Sequence, residues 1–155
     1  MPEAAFSIKA VRGDFVRVQK ALKAAATKEM RTELRKIMSE ETKPTRKKVK
    51  QSAIDNLPTG GGLNKWVARI PSANTDFREK SAGVRIRMQK KGHDLAALNR
   101  GRLRHPLFGN RKHWYMQAIE PGFFTKPIED DEEALKRRIQ AAIEAYMDRL
   151  ERKAS

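Results

Sequence analysis

Histidines and carboxylates are where hydrolytic or metal chemistry would start, and in this chain they are few and scattered. The histidines are His93, His105 and His113, and the middle of the chain adds only Asp76, Glu79, Asp94 and Glu120. These do not fall at metal-ligand spacings, and a metal-dependent nuclease needs a tighter acidic cluster. Nucleophilic catalysis needs Ser, Cys or Thr beside a base that a third group orients. The chain has no cysteine and no G-x-S-x-G. His105, just before Pro106, reads as a loop-fixing residue, and His113 as the flank of a strand. No catalytic residue, metal or cofactor is expected, and the expectation is that the chain is not an enzyme.

Binding chemistry is better represented. Gly60-Gly61-Gly62 lacks the preceding strand and following Lys-Ser/Thr pair of a phosphate loop, and reads as a helix-to-strand hinge. Lys43, Arg46, Lys47, Lys48 and Lys50 form a basic run around Pro44. A solvated helix face is the favoured reading of that run, over contact with DNA or an acidic partner. Trp66 and Trp114 are able to stack on bases. Their apolar neighbours favour core or interface packing instead. The densest signal is Leu98–Phe124, where Arg100, Arg102, Arg104, Arg111 and Lys112 share a segment with Leu103, Leu107, Phe108, Trp114 and Tyr115. A surface loop does not need that apolar mass, and a core has no use for those cations. Such a segment meets something: a protein, a nucleic acid or another copy.

Charge sharpens the point. The net charge is +15 over 155 residues, with +7 in residues 1–57, +10 in residues 58–128 and −2 in residues 129–155. A positive field of this size attracts polyanions and equally suits an acidic protein surface. Without cysteine there are no disulfides or zinc-thiolate sites. The N-terminus lacks the apolar run of a signal peptide, and no stretch approaches the roughly 20 apolar residues that span a bilayer. A soluble protein made in the cytoplasm is expected.

The elements that position these residues read as α+β. Residues 1–12 form an arm, and residues 13–155 form one domain. Gly13-Asp14 offers a helix cap. Phe15, Val18, Leu22, Ala25/Ala26, Met30, Leu34 and Ile37/Met38 recur at helical spacing. Pro44 is expected to interrupt the pattern, which resumes through Val49, Ala53 and Leu57. An unbroken helix over 14–57 would run about 65 Å, against a radius of gyration of about 15 Å for a domain this size. It therefore breaks near Thr27 or Pro44, or projects onto another subunit. Residues 63–124 are expected to hold a small, mostly antiparallel sheet of three to four strands plus an interface loop. Leu63–Ile70 reads as a strand, with Trp66, Ala68 and Ile70 on one face, and Ser72–Lys80 as a polar connection. Gly83–Gln89 is the cleanest strand, with Val84, Ile86 and Met88 opposite Arg85 and Arg87. Arg85 and Arg87 thus join the basic run as candidate DNA or acidic-partner contacts. Asp94–Arg100 reads as a short capped helix closed by Gly101, and Trp114–Glu120 as a strand. A C-terminal amphipathic helix over 129–153 places Glu129, Asp130, Asp131, Glu132 and Glu133 at its N-terminus.

Read in order, the blocks Leu57-Pro58-Thr59-Gly60-Gly61-Gly62-Leu63, Ala82-Gly83-Val84-Arg85-Ile86 and Leu98-Asn99-Arg100-Gly101 are the first part of a pattern. Arg104-His105-Pro106-Leu107-Phe108-Gly109-Asn110, Trp114, Gln117 and Pro121-Gly122-Phe123-Phe124-Thr125 complete it. Together they resemble the tail-completion or neck family of long-tailed bacteriophages. The resemblance covers about residues 14–150 and is most specific from RHPLFGN to PGFFT. It implies a structural virion protein at the head-to-tail connection, built in the host bacterial cytoplasm. It implies a homo-oligomeric ring, hexameric for preference and dodecameric as the alternative, against neighbouring connector, adaptor or tail-tube proteins, with genomic DNA passing through. The expected interface is Arg100, Arg102, Arg104, His105, Leu107, Phe108, Arg111, Trp114, Phe123 and Phe124. The alternative from another class is a sequence-independent nucleic-acid-binding protein. It carries a steep salt dependence of duplex affinity and would lose binding on charge reversal of Arg102, Arg104 and Arg111.

Overall fold

The computed structural model describes residues 4–9, 20–21, 23–25, 27–77, 83–91, 93–107 and 110–154. The chain is α+β, with two long helices packed against each other, a three-stranded sheet and a separate two-stranded ribbon. The expected cap at Gly13-Asp14 and the apolar positions Phe15, Val18, Leu22 and Ala26 lie outside the described residues.

The helix break falls at Thr27. Its backbone is extended and its Oγ1 accepts from the Met30 N–H at 3.1 Å, which starts helix α1 over Lys28–Asn56. Upstream, Ala24 N–H bonds the Lys20 carbonyl at 2.9 Å, and the Arg31 guanidinium donates to the Ala25 carbonyl at 3.0 Å. Pro44, expected as a second break, lies inside α1. Side-chain donors serve the carbonyls around it. Arg46 Nη2 donates to Ser39 O at 2.8 Å, Thr42 Oγ1 to the same oxygen at 3.0 Å, and Arg138 Nη2 to Glu41 O at 3.5 Å. Those bonds serve the carbonyls on either side of Glu40 O, the one Pro44 leaves without a backbone donor, and a neighbouring helix packs along the same stretch.

That neighbour is α4, Thr125–Ala154. Ser52 meets Phe123, Thr45 meets Asp131 and Glu41 meets Arg138, so the two helices run antiparallel. Each is about 45 Å long. The core joins Leu34, Met38, Val49 and Ala53 of α1 to Ile128, Leu135, Ile139 and Ile143 of α4. The acidic run expected to open the last helix sits one turn and more inside it, because α4 begins at Thr125.

After Leu57, Gly61 and Gly62 take left-handed φ of 63° and 74°, turning the chain into helix α2, Leu63–Val67. This segment was expected as a strand. Eight residues satisfy both periods: Asn64, Val67 and Ala68 are buried at helical spacing, and Asn64 Nδ2 donates to Ile54 O at 3.1 Å. Ser72–Asp76, expected as a connection, is strand β2. It pairs antiparallel with β3, Gly83–Met88. The segment expected as a free arm contains β1, Ala4–Lys9, on the other side of β3 in the order β1-β3-β2. Val84, Ile86 and Met88 are buried as expected, with Arg85 on the outer face.

Helix α3, Leu95–Asn99, is capped by Asp94, whose Oδ1 accepts from Ala97 N–H at 2.9 Å. Gly101 follows at φ 90°. Arg102–Leu107 is β4 and Asn110–Ala118 is β5, an antiparallel hairpin forming its own sheet. Among the described residues, no helix is long and apolar enough to cross a membrane.

Candidate functional site

The β4–β5 ribbon collects most of the expected interface. Register pairs Arg102 with Ala118, Leu103 with Gln117, Arg104 with Met116, His105 with Tyr115 and Pro106 with Trp114. Directly opposed residues share a face. One face therefore carries Arg102, Arg104, Trp114, Met116 and Ala118, all exposed. The other carries Leu103, His105, Tyr115 and Gln117. Cations and imidazole are thus sorted to opposite sides.

Each face is internally ordered. On the cationic face the Arg104 guanidinium lies 4.9 Å from the centre of the Trp114 ring, a cation–π contact across the strands. On the other, His105 meets Tyr115 edge-on at 3.9 Å, and its Nε2 lies 3.0 Å from Gln117 Oε1, pairing an imidazole N–H with the amide oxygen. His105 is held by cross-strand neighbours within the ribbon. His93 lies against Trp66 at 4.7 Å between ring centres, and His113 is exposed. Among the described residues no three of His, Asp or Glu gather at metal-binding distance.

The ribbon touches the body at its base. Leu103 and Ile119 pack on the core, and Ile119 N–H bonds Gly101 O at 2.9 Å. A Cβ at Gly101 would lie 2.7 Å from the Ile119 carbonyl oxygen, so glycine is required there on space as well as φ. Beyond the base, Trp114, Tyr115 and Met116 are 46%, 44% and 56% exposed. Three consecutive large apolar residues in water on both faces of a two-stranded sheet are unusual, since such a hairpin is marginal without something packed on it. Among the described residues, both strands also have an open hydrogen-bonding edge.

Two of the expected interface residues belong elsewhere. Phe123 and Phe124 are buried in the chain's own core, at the joint between ribbon and α4. Ser52 Oγ donates to Phe123 O at 2.6 Å, and Asn99 Oδ1 accepts from the Phe124 and Thr125 N–H groups at 3.0 and 3.3 Å. Asn99, which sequence reading had placed only within a motif, thereby caps α4 from a different helix. Leu107 and Arg111 lie in the ribbon, but their side chains, and Phe108 altogether, fall outside the described residues. Arg100 is exposed at the end of α3.

The second basic group is dispersed. Lys43, Lys47 and Lys50 are exposed on α1, Arg46 is turned onto Ser39 O, and Lys48 Nζ reaches Asp131 Oδ1 at 2.7 Å. Arg85 and Arg87 stand on β3, in the other sheet from Arg102 and Arg104. Arg87 donates to Gln89 Oε1 at 3.1 Å.

The most organised polar cluster is structural. Asp131, 3% exposed, accepts from Lys48, from the Thr45 hydroxyl and from Arg138 Nη2 at 3.0 Å. Arg138 also donates to Thr45 Oγ1 at 3.1 Å. Burial pushes the Asp131 carboxyl up. The hydrogen bonds from Lys48, Thr45 and Arg138, with the Arg138 charge, outweigh it and hold the group down at about 2. Its sequence signal was one Asp among five consecutive acids at a position where the apolar stripe of α4 predicts burial. Compared with known proteins, the chain matches no family model, no curated protein and no solved structure.

Proposed function

We propose that this protein is a non-catalytic structural subunit of the head-to-tail connection of a tailed bacteriophage, assembling as a ring between the DNA-filled head and the tail. The single observation that carries the reading is the β4–β5 ribbon. It stands off the body, with Arg102, Arg104, Trp114 and Met116 exposed together on one face. A side chain such as Trp114 gains about 2 kcal/mol or more when moved from water into a packed contact, so a surface of this kind is completed by assembly. The resemblance of residues 98–125 to phage neck proteins supplies the class of assembly. Hexameric order is preferred and dodecameric order is the alternative. The neighbours are connector, adaptor or tail-tube proteins, and the genome passes through the ring.

The test is a particle made without this protein. Full heads and free tails accumulating unjoined is the expected result, and infectious virions in normal yield would end the reading.

A second reading, sequence-independent nucleic-acid binding, is favoured by the +15 net charge and by the ribbon's form, since a two-stranded β-ribbon fits a DNA major groove. It expects duplex affinity falling with salt at a slope near −0.9 per phosphate contacted, lost on charge reversal of Arg102, Arg104 and Arg111. The connector reading expects weak affinity or none for the isolated subunit, and impaired assembly in the same variant.

A further inference from the structure

We infer that the Arg102/Arg104/Trp114/Met116 face of the ribbon docks on the N-terminal half of α4 of a second copy of this chain, against Glu129, Asp130 and Glu133. This rests on the ring assembly proposed above and names the two surfaces that would form it.

Residues 129–155 are the one stretch with net negative charge in a chain of net charge +15. Within it, Glu129, Asp130, Glu133 and Ala134 are all exposed and lie at i, i+1, i+4 and i+5, which places them on one side of α4, with exposed Lys126 one turn before the patch and Arg137 one turn after it. Asp131, by contrast, is turned inward and occupied by Lys48 and Arg138. The spacings agree. Arg102 and Arg104 are two residues apart on a strand, about 6.7 Å, and Glu129 and Glu133 are four apart on a helix, about 6 Å. Two cations on the ribbon therefore meet two carboxylates on the helix in step, and Ala134 leaves room for the larger side chains beside them.

The apolar centre of the ribbon face chooses protein over nucleic acid as the occupant. Met116 lies directly opposite Arg104 and Trp114 one pair nearer the ribbon tip, opposite Pro106, and against a hydrated, phosphate-lined groove their burial would gain little. Against a helix side with a small residue, Ala134, at its edge they are covered while the arginines are neutralised. Among the described residues the ribbon packs chiefly on α3 at its base, and Glu133 keeps a long contact with Lys136 at 4.0 Å, so the exposed parts of the cationic face and of the acidic patch are within reach of another copy. The two patches differ, so the contact is heterologous, and repeated copies close into a ring or extend as a filament.

The absence of cysteine gives a direct test. Met116→Cys and Asp130→Cys variants are prepared separately, mixed and oxidised at total concentrations up to about 1 mM, the weak end of specific association. The expected product is the mixed disulfide, in excess over either homodimer. Charge reversal R102E/R104E in the Met116→Cys partner lowers its yield by about tenfold or more, and E129R/E133R in the Asp130→Cys partner restores it. Absence of the mixed disulfide, a dominant Met116→Cys homodimer, or failure of the reversed pair to rescue would each overturn the proposal. So would loss of duplex affinity in R102E/R104E with the disulfide yield unchanged, which would assign the face to nucleic acid. None of these outcomes depends on whether particles lacking the protein join heads to tails, so the docking geometry and the connector reading fail separately.

Discussion

Asp131 is the residue whose chemistry is most fully determined, and its role is to join α1 to α4. Its folded pKa of about 2 lies below the ordinary value of 3.8, so its contribution is present above pH 4 and is lost as pH falls toward 2. A shift of that size corresponds to about 2 kcal/mol. Denaturant titrations between pH 6 and pH 2 should show that loss in the wild type. The Asp131→Asn variant, already less stable at neutral pH by roughly 2–4 kcal/mol because Lys48 and Arg138 lose their buried counter-charge, should lose less over the same interval. An unchanged acid profile in Asp131→Asn would place the acid sensitivity elsewhere. Asn99 is the second residue with an identifiable share. Its carboxamide serves two N–H groups at the start of α4, and Asn99→Ala should cost about 1–2 kcal/mol, measured as a lowered denaturant midpoint at unchanged slope.

At the scale of elements, the ribbon depends on its base. Gly101→Ala brings a Cβ against the Ile119 carbonyl at a φ that suits glycine. It should destabilise by about 1–3 kcal/mol and release the ribbon register, read as faster amide exchange at Leu103 and Ile119. Trp114→Ala should leave the isolated chain within about 1 kcal/mol of wild type, because its ring is nearly half exposed and its contact with Arg104 lies at the surface. Elements with a single period were legible from sequence. The alternation Val84–Ile86–Met88 gave β3, Asp94 with Gly101 bracketed α3, and Thr27 marked the break before α1. Those with competing or weak patterns were not. Leu63–Ile70 fits a strand and a helix equally, and only the contact of Asn64 with α1 decides for α2. Ser72–Asp76 is polar because it is a sheet edge. Arg102–Leu107 was hidden by Pro106, which a strand tolerates where the ladder is irregular, and the register does shift between Pro106 and Leu107. Pro44 misled for a tertiary reason, since donors for the neighbouring carbonyls come partly from Arg138, far away in sequence.

For the whole molecule, the candidate site was half legible. The mixture of cations and aromatics in residues 98–124 singled out the segment that holds the ribbon, which gathers Arg102, Arg104, His105 and Trp114. Phe123 and Phe124 were misassigned because large aromatics after a Pro-Gly turn serve a core as well as an interface, and only burial separates the two. What the sequence could not express is the sorting of the ribbon into a cationic face and a histidine face, which follows from pairing. The molecule thus has a two-helix body, joined through Asp131 and Asn99, and an arm whose exposed apolar face lacks comparable packing among the described residues. The central claim is that this arm serves assembly at a head-to-tail junction. Its most direct measurement is an image reconstruction of the intact virion. The account predicts a closed ring of this chain at the junction, with the α1–α4 helix pair resolved in each subunit and β4–β5 lying against a neighbour. A junction with no copies of the chain, or copies bound only along the packaged genome, would contradict it.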